Sequence, residues 1–480
     1  MPSEKHHTLD EIFHPKSIAI IGASASGQGT GWVARLLHFG YSGHIYPINP
    51  RATEINGLKA YPTVVDVPGP IDYAIFNIPA RLAPQMMRDC AAKGVKVAHI
   101  YTAGFSEIGK EEGKKLEAQV AAIAREGGVR VIGPNCMGIY CPAGGVTFND
   151  SFSKELGNVA FVSQTGAGAN RFIPLANNRG IRFSKVISYG NAIDLDSPDF
   201  LEYLADDDET EIITCYIEGV RDGRRFLAAI RKCLLMAKPV IILKSGLTES
   251  GAGAVASHTA SLAGSASIWD AFFKQTGVIR VNTLEEIADI ILVLQHMPCP
   301  KGRRVGLIGR GGGFGVIATD ICERAGLKVP PFLPATRNQL EKIAPEAGSG
   351  VRNPVEGPLP IGTAADFFYP KGLKLVDADP QIDFILVRLD LDVYGRRDEA
   401  KLQLAKVIEV IVSTAQTLTK PLVITITIGE SLRALDAGLE ARERLLQAGI
   451  PVYFTTETAA NTVSKLIGFH EFTEKVKSAG

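Results

Sequence analysis

Three times along this chain a short run of β-branched and aliphatic residues ends in a glycine-rich or small polar cluster and then opens a helical pattern. The runs are Ser17–Ile21 before Gly22 and the Gly27–Gly29 loop, Asn158–Val162 before Ser163–Gly168, and Val305–Ile308 before Gly309–Gly315. A continuous apolar run this short, without alternation, is the pattern of a parallel strand covered on both faces. Small residues behind it let backbone amides at the next helix N-terminus approach an anion. The recurrence confines the chain to doubly wound α/β architecture. At 480 residues it holds three such domains: a Rossmann-like unit over 1–150, then two flavodoxin-like units over 151–300 and 301–480.

In the first unit a helical segment, Gly31–Phe39, leads to a second strand, His44–Ile48. The loop between them is not a regular G-x-G-x-x-G. A dinucleotide site would also close the second strand with an acidic residue for the ribose hydroxyls. This chain has Asn49-Pro50-Arg51 there, and an arginine suits a phosphate, either the 2′-phosphate of NADP or the 3′-phosphate of coenzyme A. Further strands at Tyr73–Ile78, Lys96–Tyr101 and Arg130–Ile132 end in Pro79-Ala80, Thr102–Gly104 and Gly133–Gly138. Ligands of such sheets bind at the carboxyl ends of strands, so these clusters line one crevice. Cys136 has no local base and reads as a packed, inert thiol.

The second unit offers Ser163, Thr165 and the amides from Gly166 onward as an anion site; Ser163 lies in no G-x-S-x-G elbow, which argues against a serine hydrolase. Strand Glu211–Ile217 runs into Glu218-Gly219, and the next strand, Pro239–Leu243, runs into a long Gly/Ala/Ser stretch from Lys244 to Gly264 with His258 in its middle. Consecutive strands of one parallel sheet release their loops on the same edge. Glu218 can therefore orient His258 through one ring nitrogen and leave the other to react. The stretch reads as a loop that presents His258 without bulky neighbours. In the third unit, Asn353–Glu356 reads as a polar turn, and Asp390 and Asp392 as surface or capping carboxylates rather than a metal pair.

Composition excludes several classes. Lys plus Arg equals Asp plus Glu at 51 each, so no net field favours nucleic acid or a membrane surface. Seven cysteines without paired spacing argue for a reducing compartment and against a zinc site. The polar N-terminus, Met1 to His14, lacks the apolar core of a signal peptide, and no apolar run is long enough to span a bilayer. A cytoplasmic enzyme or binding protein is expected.

Ile20–Ser24, Tyr101–Glu107, Gly133–Gly138, Val162–Gly166, Tyr216–Val220 and Ser257–Gly264 occur in that order. Together they resemble the α subunit of the ADP-forming (NDP-forming) acyl-CoA synthetases, the acetate–CoA ligase relatives of succinyl-CoA synthetase, over nearly the whole chain. The resemblance implies joining of a carboxylic acid to coenzyme A at the expense of ATP, through an acyl phosphate and a phosphorylated His258. It makes Glu218 the orienting carboxylate and Ser163, Thr165 and Gly166 the phosphate cradle. Gly311, Gly312 and Gly313 resemble a second phosphate-facing helix start, and Gly22, Ser24, Arg51, Thr102 and Asn135 the coenzyme A crevice. No metal ligand is implied in this chain; Mg2+ and ATP are expected on a separate ATP-grasp β subunit, in an α2β2 assembly, with the Gly246–Gly264 segment swinging between sites.

Two motifs depart from the family pattern. Arg310 stands where Asn usually begins the third glycine loop, with Phe314 where Pro is frequent, and Glu356 replaces a common Asp. Both changes fall in the third domain and leave the acid open between acetate and a larger or aromatic one. Two alternatives remain at this stage: a non-catalytic CoA- or acyl-CoA-binding homologue, and an NADP-dependent oxidoreductase that uses Arg51.

Overall fold

Strand β1 (Ser17–Ile21) is buried at all five positions, as an apolar run without alternation requires when helices cover both faces of a sheet. It pairs in parallel with β2 (His44–Ile48) on one side. A two-residue hairpin of β3 (Glu54–Ile55) and β4 (Leu58–Lys59) follows, and then β5 (Tyr73–Phe76), which takes the other side of β1. Adding β6 (Val97–Ile100) and β7 (Arg130–Ile132) completes a parallel sheet in the order β2-β1-β5-β6-β7.

After β7 the chain turns through Gly133–Met137 and enters β8 (Gly138–Tyr140), the antiparallel edge of a second sheet. That sheet continues with β9 (Val159–Ser163), β10 (Phe183–Ser188), β11 (Ile212–Ile217), β12 (Val240–Lys244) and β13 (Ile279–Val281), in the order β13-β12-β11-β9-β10-β8. The third sheet holds β14 (Val305–Gly309), β15 (Val355–Glu356), β16 (Phe384–Asp390), β17 (Leu422–Thr427) and β18 (Val452–Tyr453), in the order β15-β14-β16-β17-β18. Setting aside the hairpin and the antiparallel edge, all three sheets order their parallel strands 2-1-3-4-5, the flavodoxin-like order. The first sheet thus departs from the 3-2-1-4-5-6 order of a dinucleotide-binding sheet, because β5 docks beside β1 rather than beyond β2.

The computed structural model describes residues 9–24, 31–259, 264–344, 350–356, 363–391, 398–428 and 432–479. Gly27 and Gly29 of the first loop, Ala260–Ala263 and Asp392 lie outside these. The chain forms two compact units, Met1–Ile287 with the first two sheets and Ala288–Gly480 with the third.

Two expectations change. The stretch carrying His258 is not a loop up to that residue, because Glu249–Thr259 is an α-helix. Thr248 starts it, accepting the amide of Gly251 on Oγ1 at 3.1 Å and that of Ala252 on its carbonyl at 2.8 Å. Alanines 252, 254 and 256 are strong helix formers, and Glu249 in the first turn complements the helix dipole. Asn353–Glu356 is not a free turn either. Val355 and Glu356 pair in parallel with Ile308 and Gly309, and Asn353 fastens the approach, accepting from Leu307 N at 2.9 Å and donating to the carbonyls of Val305 (2.9 Å) and Pro330 (2.8 Å).

Candidate active site

The carboxyl edge of the first sheet is assembled by close backbone approaches. At Gly22 (φ +84°) an added Cβ would lie 2.3 Å from the Asn77 carbonyl oxygen, so only glycine lets the β1 loop abut the end of β5. Asn49 Nδ2 donates to Ala23 O at 2.7 Å, while its Oδ1 accepts from Arg51 N and Ala52 N at 2.8 and 3.0 Å. Asn49 thus ties the loop to β2, a role the sequence did not reveal. Thr102 Oγ1 donates to Ile78 O at 2.6 Å and pins β6 to β5. Asn135, at φ +58°, donates its amide to Thr102 O at 3.0 Å.

These residues frame a cavity of about 590 Å³ whose wall includes Ile78, Tyr101, Thr102, Asn135, Met137 and the Gln164–Ala167 turn of the second sheet. Of the expected crevice residues, Thr102 and Asn135 line it, and Gly22 packs against Asn77, which also lines it. Ser24 and Arg51 are exposed and outside the lining. Cys136 is buried, donates to Ile100 O at 3.7 Å, and has its thiol pKa pushed up by burial. A neutral thiol is a poor nucleophile, so the packed reading holds.

The turn after β9 is shaped internally. Ser163, fully buried, donates its hydroxyl to Thr165 O at 2.8 Å and accepts from Thr165 N at 3.3 Å. That engagement makes Ser163 a shaper of the turn rather than a presented hydroxyl. Thr165 caps the helix Gly166–Asn177, its Oγ1 accepting from Gly168 N at 3.5 Å. The first amides of a helix have no intrahelical acceptor. Those of Gly166 and Ala167 remain for an anion, at the wall of the cavity and at the positive end of the helix dipole.

Glu218 follows β11 and is 2% exposed. Gln164 Oε1 accepts from both Glu218 N (2.8 Å) and Gly219 N (3.0 Å), and the Tyr216 hydroxyl donates to Glu218 Oε1 at 3.3 Å. The pairing of Ile217 with Lys244 puts Ser245 beside Glu218. Lys244 is itself buried; its ammonium donates to Glu218 O at 2.8 Å and to Ser245 O, and lies 5.1 Å from the centre of the Trp269 ring. Burial lowers its pKa from 10.5 to about 8, with the Glu218 charge opposing. Neither Gln164 nor Lys244 was singled out from sequence, although both flank the motifs that were.

Beyond Lys244, Gly246 (φ +73°) and Gly264 (φ +77°) bracket the segment that carries His258. The helix Glu249–Thr259 packs against the short turn Ser106–Ile108, which follows the cavity-lining Tyr101–Ala103 in the chain. The His258 side chain lies outside the described atoms.

In the second unit Gly311, at φ +86°, precedes the helix Gly312–Arg324. Phe314 is 55% exposed, and Arg388 Cζ lies 4.3 Å from the centroid of its ring. Arg388 Nη2 donates to Asp390 Oδ2 at 3.0 Å, so Asp390 is an ion-pair partner and no surface carboxylate. Strand β15 brings Glu356 beside Gly309. Arg310 is exposed.

Residues 16–142 match the CoA binding domain family, and residues 156–294 match the succinyl-CoA ligase like flavodoxin domain. The chain is 41% identical over 379 residues to "Acetate–CoA ligase [ADP-forming] II subunit alpha" of Pyrococcus furiosus, covering 79% of this chain and 81% of the relative. It is 37% identical to the corresponding "I subunit alpha" of the same organism, covering 98% of this chain and 99% of the relative. A solved structure, "Ca. Korarchaeum cryptofilum dinucleotide forming Acetyl-coenzyme A synthetase 1 in complex with phosphate and ADP", superposes with a TM-score of 0.81 at 30% identity over 98% of both chains. The chain spans 63% to 65% of longer ligases that it also matches. Fold, cavity and matched domains define an acid–thiol ligase of the succinyl-CoA ligase type. Within that class, the chain belongs to the α subunits of the ADP-forming acetate–CoA ligases.

Proposed function

We propose that this chain carries the phosphoryl-transfer histidine of a ligase that converts a carboxylic acid, coenzyme A and ATP into acyl-CoA, ADP and phosphate. The observation that carries the reading is the cavity in which the crevice of the first sheet meets the capped helix start at Thr165–Gly166. In the acyl-CoA-consuming direction, phosphate held by the Gly166 and Ala167 amides attacks the thioester carbonyl and releases the CoA thiol. The acyl phosphate then passes its phosphoryl group to a His258 ring nitrogen and releases the acid. Glu218 orients the imidazole and balances its charge, and oriented amides stabilise the dianionic group.

Coenzyme A is assigned to the crevice of Gly22, Thr102 and Asn135, with Ser24 and Arg51 at its exposed rim for a phosphate. The Gly311–Gly313 helix start is assigned as a second phosphate-facing site. In this reading a CoA-binding domain (1–150), its sheet in the same 2-1-3-4-5 order, precedes two flavodoxin-like domains (151–300 and 301–480). ATP, and the Mg2+ that neutralises its phosphates, are assigned to an ATP-grasp β subunit in an α2β2 assembly; the "subunit alpha" names of the two Pyrococcus relatives support a partner. Gly246 and Gly264 are the hinges that let the His258 segment travel. Seven free cysteines, six of them buried, support a cytoplasmic location.

The test is labelling of the chain, with its β subunit, by radioactive inorganic phosphate and a panel of acyl-CoAs without nucleotide. Acid-labile, base-stable label that is lost in His258→Ala supports the carrier role. Failure to label with every acyl-CoA, while coenzyme A still binds, leaves the acyl-CoA-binding homologue as the better reading; nicotinamide-dependent turnover would favour the oxidoreductase.

A further inference from the structure

We infer that Met137 sets the size of the acid, its side chain forming the wall met first by the acyl tail. The inference rests on the assignment above of phosphate to the Gly166 helix start. Met137 lines the cavity, half-buried. A Cβ built on Gly166 would come within 2.8 Å of Met137 Cγ and 3.5 Å of its Sδ, so the thioether lies directly on the first residue of that helix.

An acyl group whose carbonyl is bonded to phosphate at those amides must project its tail away from the helix and into the cavity. Its carbonyl carbon is one bridging oxygen from phosphorus, which leaves Met137 as the nearest apolar side chain. Ile78 and Tyr101 supply further apolar surface on the same cavity wall. The Met137 backbone is fixed, its amide donating to Ser188 Oγ at 3.1 Å. The side chain above that anchor is unbranched and adapts to its contents.

Two features define the substrate class. The cavity, about 590 Å³ and shared with the thiol end of coenzyme A, falls in the range of pockets that take drug-sized ligands. Among the described residues that line it, none is charged, so a second carboxylate would be desolvated without a cationic partner. The class is a monocarboxylic acid with an uncharged tail.

Calorimetric titration of the purified full-length chain with coenzyme A, acetyl-CoA, hexanoyl-CoA and succinyl-CoA tests this. Met137→Ala should raise the hexanoyl-to-acetyl affinity ratio about tenfold, and Met137→Phe should lower it by a similar factor, the usual scale of discrimination by pocket volume. Met137→Leu, which conserves volume, should leave the ratio unchanged; a purely structural role for Met137 would shift all ligands together and spare the ratio. Should Met137→Ala fail to fold, Met137→Val carries the same comparison. A ratio constant within about twofold across the variants, or preferential binding of succinyl-CoA, overturns the inference while the coenzyme A assignment stands. Absence of coenzyme A binding by the unmodified chain overturns the cavity assignment itself, and the inference with it.

Discussion

Gln164 and Glu218, 54 positions apart in the chain, are joined where β9 and β11 end side by side: the Gln164 side-chain oxygen accepts the Glu218 amide at 2.8 Å. The same oxygen takes the Gly219 amide at 3.0 Å. One uncharged side chain therefore fixes the backbone of the residue whose carboxylate is assigned to orient His258, from a position in the turn that presents the Gly166 amides. Gln164→Leu should destabilise the chain by about 3 kcal/mol, because two buried amides lose their acceptor. It should slow phosphohistidine formation more than Gln164→Glu, which keeps an acceptor. Urea unfolding and single-turnover labelling measure the two effects separately.

Lys244 gives a pH signature at the alkaline end. Burial holds its pKa near 8 instead of 10.5. Between those values the unfolded chain binds the proton and the native chain does not, so stability should rise as pH increases through that window. In Lys244→Met the rise should disappear from urea midpoints measured between pH 7.5 and about 10.5.

His99 gives the opposite limb. Its ring is fully buried, packed at 5.9 Å against Tyr73 and edge-on at 5.6 Å to Trp32, with Nε2 3.3 Å from Cys136 O. Burial lowers its pKa from 6.5 to about 4. The unfolded chain takes up a proton first on acidification, so stability should fall as pH drops from 6.5 towards 4. His99→Phe should flatten that part of the profile, as followed by tryptophan fluorescence.

Gly190 couples the two sheets of the first unit. It stands at φ +57°, and a Cβ there would lie 2.2 Å from Pro134 O and 2.5 Å from Asn135 O. Gly190→Ala should cost about 3 kcal/mol. It should also weaken coenzyme A binding in calorimetry, since the displaced backbone is that of Asn135 in the cavity wall.

Much of this was legible from local pattern. Apolar runs without alternation gave the buried strands, and the residue after each run gave the carboxyl-edge positions, which is why Thr102, Asn135, Thr165 and Glu218 could be placed. The Thr248-Glu249 start and the alternating alanines also carried a helix signal, but the glycines between them masked it, and the stretch before His258 read as a loop. Asn49, Gln164 and Asn353 were not legible, because each acts through side-chain bonds to backbone that is remote in sequence.

The chain by itself determined its elements, since strand and helix periodicity and capping are set by neighbours a few residues away. It also determined its family, through motifs whose order along the chain is itself the signal. Strand order was decided only by the tertiary structure: β5 docks beside β1 in the first sheet, and Val355–Glu356 closes the edge of the third, through long-range backbone pairing that no local pattern encodes. The cavity was decided the same way. Its walls come from strand ends that meet only after the first two sheets pack, so the contact of Met137 with Gly166 is a property of the fold.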